Sequence, residues 1–171
     1  MTPSQAFLIT LLTLSATPLA AQTPSPTLAA DRAQLAACLR QSGTVATSCI
    51  GLVAVACVRA ANTDRRAAEP ACARREEAVW RERLGQATQA VSRAMDAGQR
   101  SKLASLQIAW EGYVAQKCAF YGASQREGFQ LGRQAGCELR EVATRALELE
   151  RSGTQATPSR PQQPPRIFRG E

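Results

Sequence analysis

Six cysteines, Cys38, Cys49, Cys57, Cys72, Cys118 and Cys137, have the widest chemical reach in this chain. A thiol can ligate metal, cycle through a redox couple, act as a nucleophile or pair with a second thiol. None of the six stands in a C-x-x-C pair, the arrangement of a zinc ribbon or a thioredoxin-type site, so their predicted role is three structural disulfides. The chain has no histidine. That excludes Ser-His-Asp triads, Cys-His dyads and any zinc or haem site that needs imidazole. Glu76 and Glu77 are adjacent carboxylates, but neighbours on a helix point about 100° apart and cannot share one substrate. Arg65-Arg66 and Arg74-Arg75 form the most obvious basic patch, read as solvated surface. No catalytic residue, cofactor site or metal ligand is assigned, because no nucleophile elbow, phosphate loop or metal-ligand spacing is visible, and an enzyme is not expected.

The elements that hold these residues read as helices. Hydrophobic content is 44% and rests heavily on alanine, aromatic content is 5%, and no segment alternates with period two. One helix is predicted from about Ala29 to Gly43, with Leu35, Cys38 and Leu39 on one face, and a second from about Thr47 to Ala61. Pro70 suits the first turn of a third, whose apolar stripe is Val79, Trp80, Leu84, Ala87, Val91 and Met95, and Gly98 marks its end. The fourth runs from Ser101 to Gly122 and carries Leu103, Leu106, Trp110, Tyr113 or Val114, and Cys118. Gly122 to Gly136 holds four glycines and reads as the largest irregular loop. A fifth helix turns Cys137, Leu139, Val142, Ala146 and Leu149 inward. The predicted fold class is all-α: a small disulfide-stapled bundle of about five helices, with no sheet.

Both ends of the chain read differently. The apolar run Ala6–Leu14, followed by small residues to Ala21, resembles a secretory signal peptide over residues 1–21. The run is well short of the roughly 20 residues that span a bilayer. No cysteine follows it before Cys38, so no lipid anchor is expected. Residues 22–28 read as a flexible leader, 29–151 as the helical domain and 152–171 as a disordered Pro/Arg-rich tail. A periplasmic or secreted location is predicted, where disulfides persist. Cys118 and Cys137 fall on successive helices that fold back on each other, which predicts a bridge between them. For the other four, pairing 38 with 49 and 57 with 72 follows adjacency, while 38 with 57 and 49 with 72 also fits antiparallel hairpins.

Three stretches carry a family resemblance. Leu103, Leu106-Gln107, Trp110, Tyr113 and Cys118 follow a spacing similar to the L-x2-A-Q-x2-W-x2-Y/F-R-D-x2-C pattern of the LprI-type lysozyme inhibitor domain. Cys137, Arg140, Arg145 and Leu149 resemble that domain's closing segment, and Cys72, Trp80 and Leu84 resemble its C-x7-W-x3-L motif. The departures are Gly85 where the family has Asn, Thr88 where it has Tyr, and Val114-Ala115 where it has Arg-Asp. The resemblance implies an exported, non-enzymatic helical binding protein, with lysozyme or another envelope protein as partner. Inhibition would work by occluding the enzyme cleft, with either the Gly-rich 122–136 segment or an acidic face of Glu138, Glu141, Glu148 and Glu150. Trp80 and Trp110 also read as core anchors, and Gln107 as a hydrogen-bond partner of nearby backbone.

Charge supplies the alternative function. Arg151, Arg160, Arg166 and Arg169 against Glu171 place +3 of the formal +7 in the last residues, leaving +4 on residues 1–150. The domain is mildly basic and the tail strongly so. A structural or accessory envelope protein, whose tail touches an anionic surface, fits this division. Nucleic acid is not expected as a partner of an exported chain, despite a pI near 9.6.

Overall fold

The computed structural model describes residues 26–155, which form five α-helices and no strand. The predicted signal peptide, all of the leader before Pro26 and the tail from residue 156 lie outside the described residues. Helix α1 spans Pro26–Ser42, and a 3-10 segment, Gly43–Cys49, turns the chain into α2, Leu52–Ala60. Helix α3 covers Arg65–Arg93, α4 Ala97–Ala123 and α5 Gln130–Gln155. With 29 residues, α3 is about 43 Å long and forms the axis of the molecule.

Its interface with α5 is the largest in the fold, α2 packs on its first half, and α4 meets the bundle mostly through α5. Bonds between the helices fix their directions. Arg74 pairs with Glu138 and Arg83 with Glu150, so α3 and α5 run parallel. Lys117 pairs with Glu141, and α4 runs antiparallel to α5. The core is built of small and branched side chains around Trp80, including Leu35, Val79, Val142, Ala143 and Ala146. A second cluster, Val114, Cys118 and Cys137, sits at the α4–α5 contact, and Trp110 packs on both. The cysteines pair as Cys38–Cys49, Cys57–Cys72 and Cys118–Cys137, with Cα separations of 5.9, 5.6 and 5.4 Å. Closing loops of 11 to 19 residues, each bridge stabilises by about 3 kcal/mol through the unfolded chain.

Several boundaries differ from the sequence expectation, each for a local reason. Helix α3 starts at Arg65 behind Asp64, which places Pro70 in the second turn rather than the first. Gly98 does not end α3. It lies in the first turn of α4, where Asp96 accepts from the Gln99 backbone N–H and the Gln99 side chain accepts from the Asp96 N–H. The expected long irregular loop is short, because α5 begins at Gln130. Of its four glycines only Gly128 has positive φ, at 84°. Gly122, Gly132 and Gly136 are helical, and two of them permit close approach. A Cβ on Gly132 would lie 3.0 Å from Glu69 Oε2, and one on Gly122 would lie 3.1 Å from Gln134 Cβ. At its far end α5 continues through Gln155, past the expected start of the tail at 152.

Candidate functional site

The residues singled out by the family pattern are distributed along the bundle rather than gathered into one site. Trp80 is fully buried and its indole N–H donates to Glu76 Oε1 at 3.0 Å. Leu84 and Leu103 are core residues. Trp110 is half-buried between the two clusters, and Gln107 Oε1 is buried with no hydrogen-bond partner among the described residues rather than bonded to backbone. Tyr113 is 57% exposed beside the Lys117 ammonium, and Leu106 is also exposed, so Val114 takes the inward place on α4. Arg145 bonds Glu148, and Arg140 stands exposed with no carboxylate partner among the described residues.

Carboxylates do structural work in this fold. Glu76 is fully buried and accepts the backbone N–H groups of Gly51 at 2.7 Å and Ala54 at 2.8 Å. These are the orphan donors at the start of α2, which has no capping side chain of its own. Glu76 therefore caps α2 from α3, with its charge on the positive end of the helix dipole. Asp31, 2% exposed, takes both arms of Arg75 at 2.6 Å and ties α1 to α3. Glu82 accepts two bonds from Arg32, which hold its carboxyl below the usual carboxylate range. The hydrogen bond from Lys117 to Glu141 raises the ammonium above its ordinary value. Neither Glu76 nor Glu77 faces solvent, as a carboxylate on a solvated surface would. Glu77 is buried against Arg74 and Arg81.

This pairing removes the expected acidic face. Glu138 is bound by Arg74 and Gln134, Glu141 by Lys117, Glu148 by Arg145 and Glu150 by Arg83. No unbroken negative surface remains there to meet a cationic partner.

The exposed chemistry gathers instead around the turn between α4 and α5. Phe120 is 70% exposed and Leu131 69%, with Tyr121 and Phe129 also open to solvent. The Phe120 and Tyr121 rings meet edge to face at 5.8 Å. The Arg66 guanidinium lies 4.4 Å from the Phe129 ring centre, which holds the turn against α3. A recess of about 700 Å³ opens here, lined by Arg65, Arg66, Arg126 and Arg133 against Asp64 and Glu69. Aromatic rings and arginines are the residue types that carry most binding energy at protein interfaces. Sequence reasoning pointed to this turn through its glycines and to Arg65-Arg66 as a solvated basic patch, but did not connect the two and missed Phe120 and Tyr121; the available signal was the run Phe120-Tyr121-Gly122 at the end of a helix whose inward face was already filled.

Among the described residues no group of three or more His, Cys, Asp or Glu can hold a metal, and no helix is long and apolar enough to cross a membrane. The structure defines a disulfide-stapled helical domain with an aromatic and cationic corner. Residues 57–149 match the family model described as Lysozyme inhibitor LprI, and the chain belongs to that family. Comparison with curated proteins and with solved structures gives no match.

Proposed function

We propose that this protein is an exported, non-enzymatic inhibitor of lysozyme that presents the α4–α5 corner to the enzyme. Family membership over residues 57–149 carries the reading. Export is part of it: residues 1–21 act as the signal peptide, the helical domain is the mature working part, and three disulfides suit an oxidising compartment.

The corner supplies the binding chemistry. A glycosidase cleft holds two carboxylates on either side of the bond it cuts. Arg126 is exposed on the turn with no carboxylate partner among the described residues; Phe129 lines the same recess, and Phe120 and Tyr121 add exposed apolar area at the end of α4 that leads into the turn. A guanidinium placed between the two carboxylates blocks substrate and satisfies both. Many lysozymes are themselves basic, so a mildly basic partner meets repulsion everywhere except at the cleft. That favours a small, focused cationic contact over a broad one.

The test is a cell-wall turbidity assay with purified, oxidised mature protein. Lysis should slow at micromolar excess, and Arg126→Glu should raise the half-inhibitory concentration by about tenfold or more. Undiminished lysis at that excess overturns the proposal. Full inhibition by both Arg126→Glu and Phe129→Ala overturns the assignment to the corner.

A further inference from the structure

A second concave surface lies apart from the corner's aromatic residues, along α2. A groove of about 830 Å³ runs between α2 and α5, over α3, within the range of about 300–1,000 Å³ that small-molecule sites occupy. Its floor is apolar: Ile50, Ala54, Val55, Val58, Ala73 and Leu139. Val55 is a large apolar side chain left 49% exposed there. Room on the α5 wall comes from Gly136, where an added Cβ would meet only an Arg140 guanidinium nitrogen at 3.7 Å.

The two ends of the groove differ in charge. Gly51 and Ala54 bond Glu76 while Cys57 bridges Cys72, so α2 runs antiparallel to α3 and therefore to α5. Arg59, Thr63 and Arg65 thus lie near Gly132 at one end, and Arg140 and Thr144 at the other. Arg65 and Glu69 belong also to the basic recess, so the first end joins Arg66, Arg126 and Arg133. The residues lining that end include Arg59, Arg65, Arg66, Arg126 and Arg133 against Asp64 and Glu69, and the Arg65 Nε–H is paired with Glu69 Oε1 at 2.9 Å, so positive charge remains in excess, whereas the other end has Arg140 alone. An apolar trough that opens onto concentrated positive charge complements a molecule with an aliphatic chain and an anionic head. The chain's own Arg-bearing C-terminal segment has the wrong sign to occupy it.

We infer that the α2–α5 groove is a binding site for a single-chain aliphatic carboxylate, its alkyl chain on the Ile50–Leu139 floor and its carboxylate at Arg59 and Arg65. The inference does not rest on lysozyme binding: the apolar floor is separate from the corner, and although the charged end shares Arg65 and Glu69 with the recess that holds Arg126, Val55 and Gly136 belong to the groove alone.

Calorimetric titration of the oxidised full mature chain with dodecanoate, kept below its micelle-forming concentration, tests this. One molecule should bind per chain, with dodecyltrimethylammonium and butanoate each at least about tenfold weaker. Val55→Glu, a change at an exposed position, and Gly136→Leu should each abolish binding. The double variant Arg59→Glu/Arg65→Glu should weaken it by about tenfold or more, and Arg140→Glu by less than about threefold. No heat with dodecanoate, equal affinity for the cationic amphiphile, or unchanged affinity in Val55→Glu with helicity intact would overturn the inference.

Discussion

Replacing Glu76 removes a cap that one helix provides for another, and its cost can be worked from three bonds. The carboxylate accepts from Gly51 N–H, Ala54 N–H and the Trp80 indole at 2.7, 2.8 and 3.0 Å, all at a fully buried side chain. Hydrogen bonds to a charged group contribute roughly 1.5–3 kcal/mol each, and a buried donor left without a partner costs about 1–3 kcal/mol. Glu76→Ala strands all three donors, and partial relaxation of the start of α2 toward water limits the loss to about 4 kcal/mol. Glu76→Gln keeps one acceptor oxygen for Gly51 and Trp80 but turns an amide N–H toward the Ala54 N–H, for a loss of about 2 kcal/mol. At roughly 4 °C per kcal/mol for a domain of this size, the alanine variant should melt about 15 °C below the parent. Guanidinium unfolding of the oxidised protein, followed by circular dichroism and tryptophan fluorescence, gives the free energies. Amide exchange should show the loss first in α2. Values for both variants within about 0.5 kcal/mol of the parent would refute the cap, as would an alanine variant more stable than the glutamine one.

Other outcomes follow from single features. Gly51 has φ 94° with no atom within 4 Å of an added Cβ, so Gly51→Ala should cost about 1–2 kcal/mol from backbone strain alone, read by denaturant midpoint. Glu82 is held below the usual carboxylate range by Arg32, so its contribution is whole above its unfolded value near pH 4.3 and is lost as pH falls through the lower folded value. Acid titration of Glu82→Gln should accordingly show a flatter acid limb than the parent. Lys117 is raised by Glu141, so its contribution is whole below about pH 10.4 and fades as pH rises through the higher folded value; Glu141→Gln should remove that alkaline dependence. Cys118→Ser with Cys137→Ser opens a 19-residue loop and should lower stability by about 3 kcal/mol, with faster amide exchange concentrated in α4.

Much of the helical core was legible because period and burial agree. Val79, Trp80, Leu84, Ala87 and Val91 recur at helical spacing, and all five are buried on α3. The inward residues of α5, Cys137, Leu139, Val142, Ala146 and Leu149, are equally plain in the pattern and equally buried. What the pattern hides is polar burial. Glu76 looks like surface until Gly51, some 25 residues earlier, is seen to start a helix without a capping side chain of its own. Asp31 and Arg75 are 44 residues apart, and nothing local marks them as partners. Glycine misled for a related reason. Gly132 and Gly136 read as breakers, yet they lie inside α5, where missing side chains let Glu69 approach and leave the groove open. The corner was half legible: glycines marked the turn, whereas its aromatic and arginine character comes from three helices meeting.

Helix α4 meets the bundle mostly through α5, and that has a consequence for local opening. Between the connections 94–96 and 124–129, it rests on α5 through Val114, Lys117 and Cys118, and few of its contacts reach α3. In the reduced chain α4 should therefore open before the α3–α5 core does. Formation of the Cys118–Cys137 bond ends that freedom. The bond thus makes α4 part of the same cooperative unit as the helix it rests on, although hardly any of its surface touches the axis of the fold.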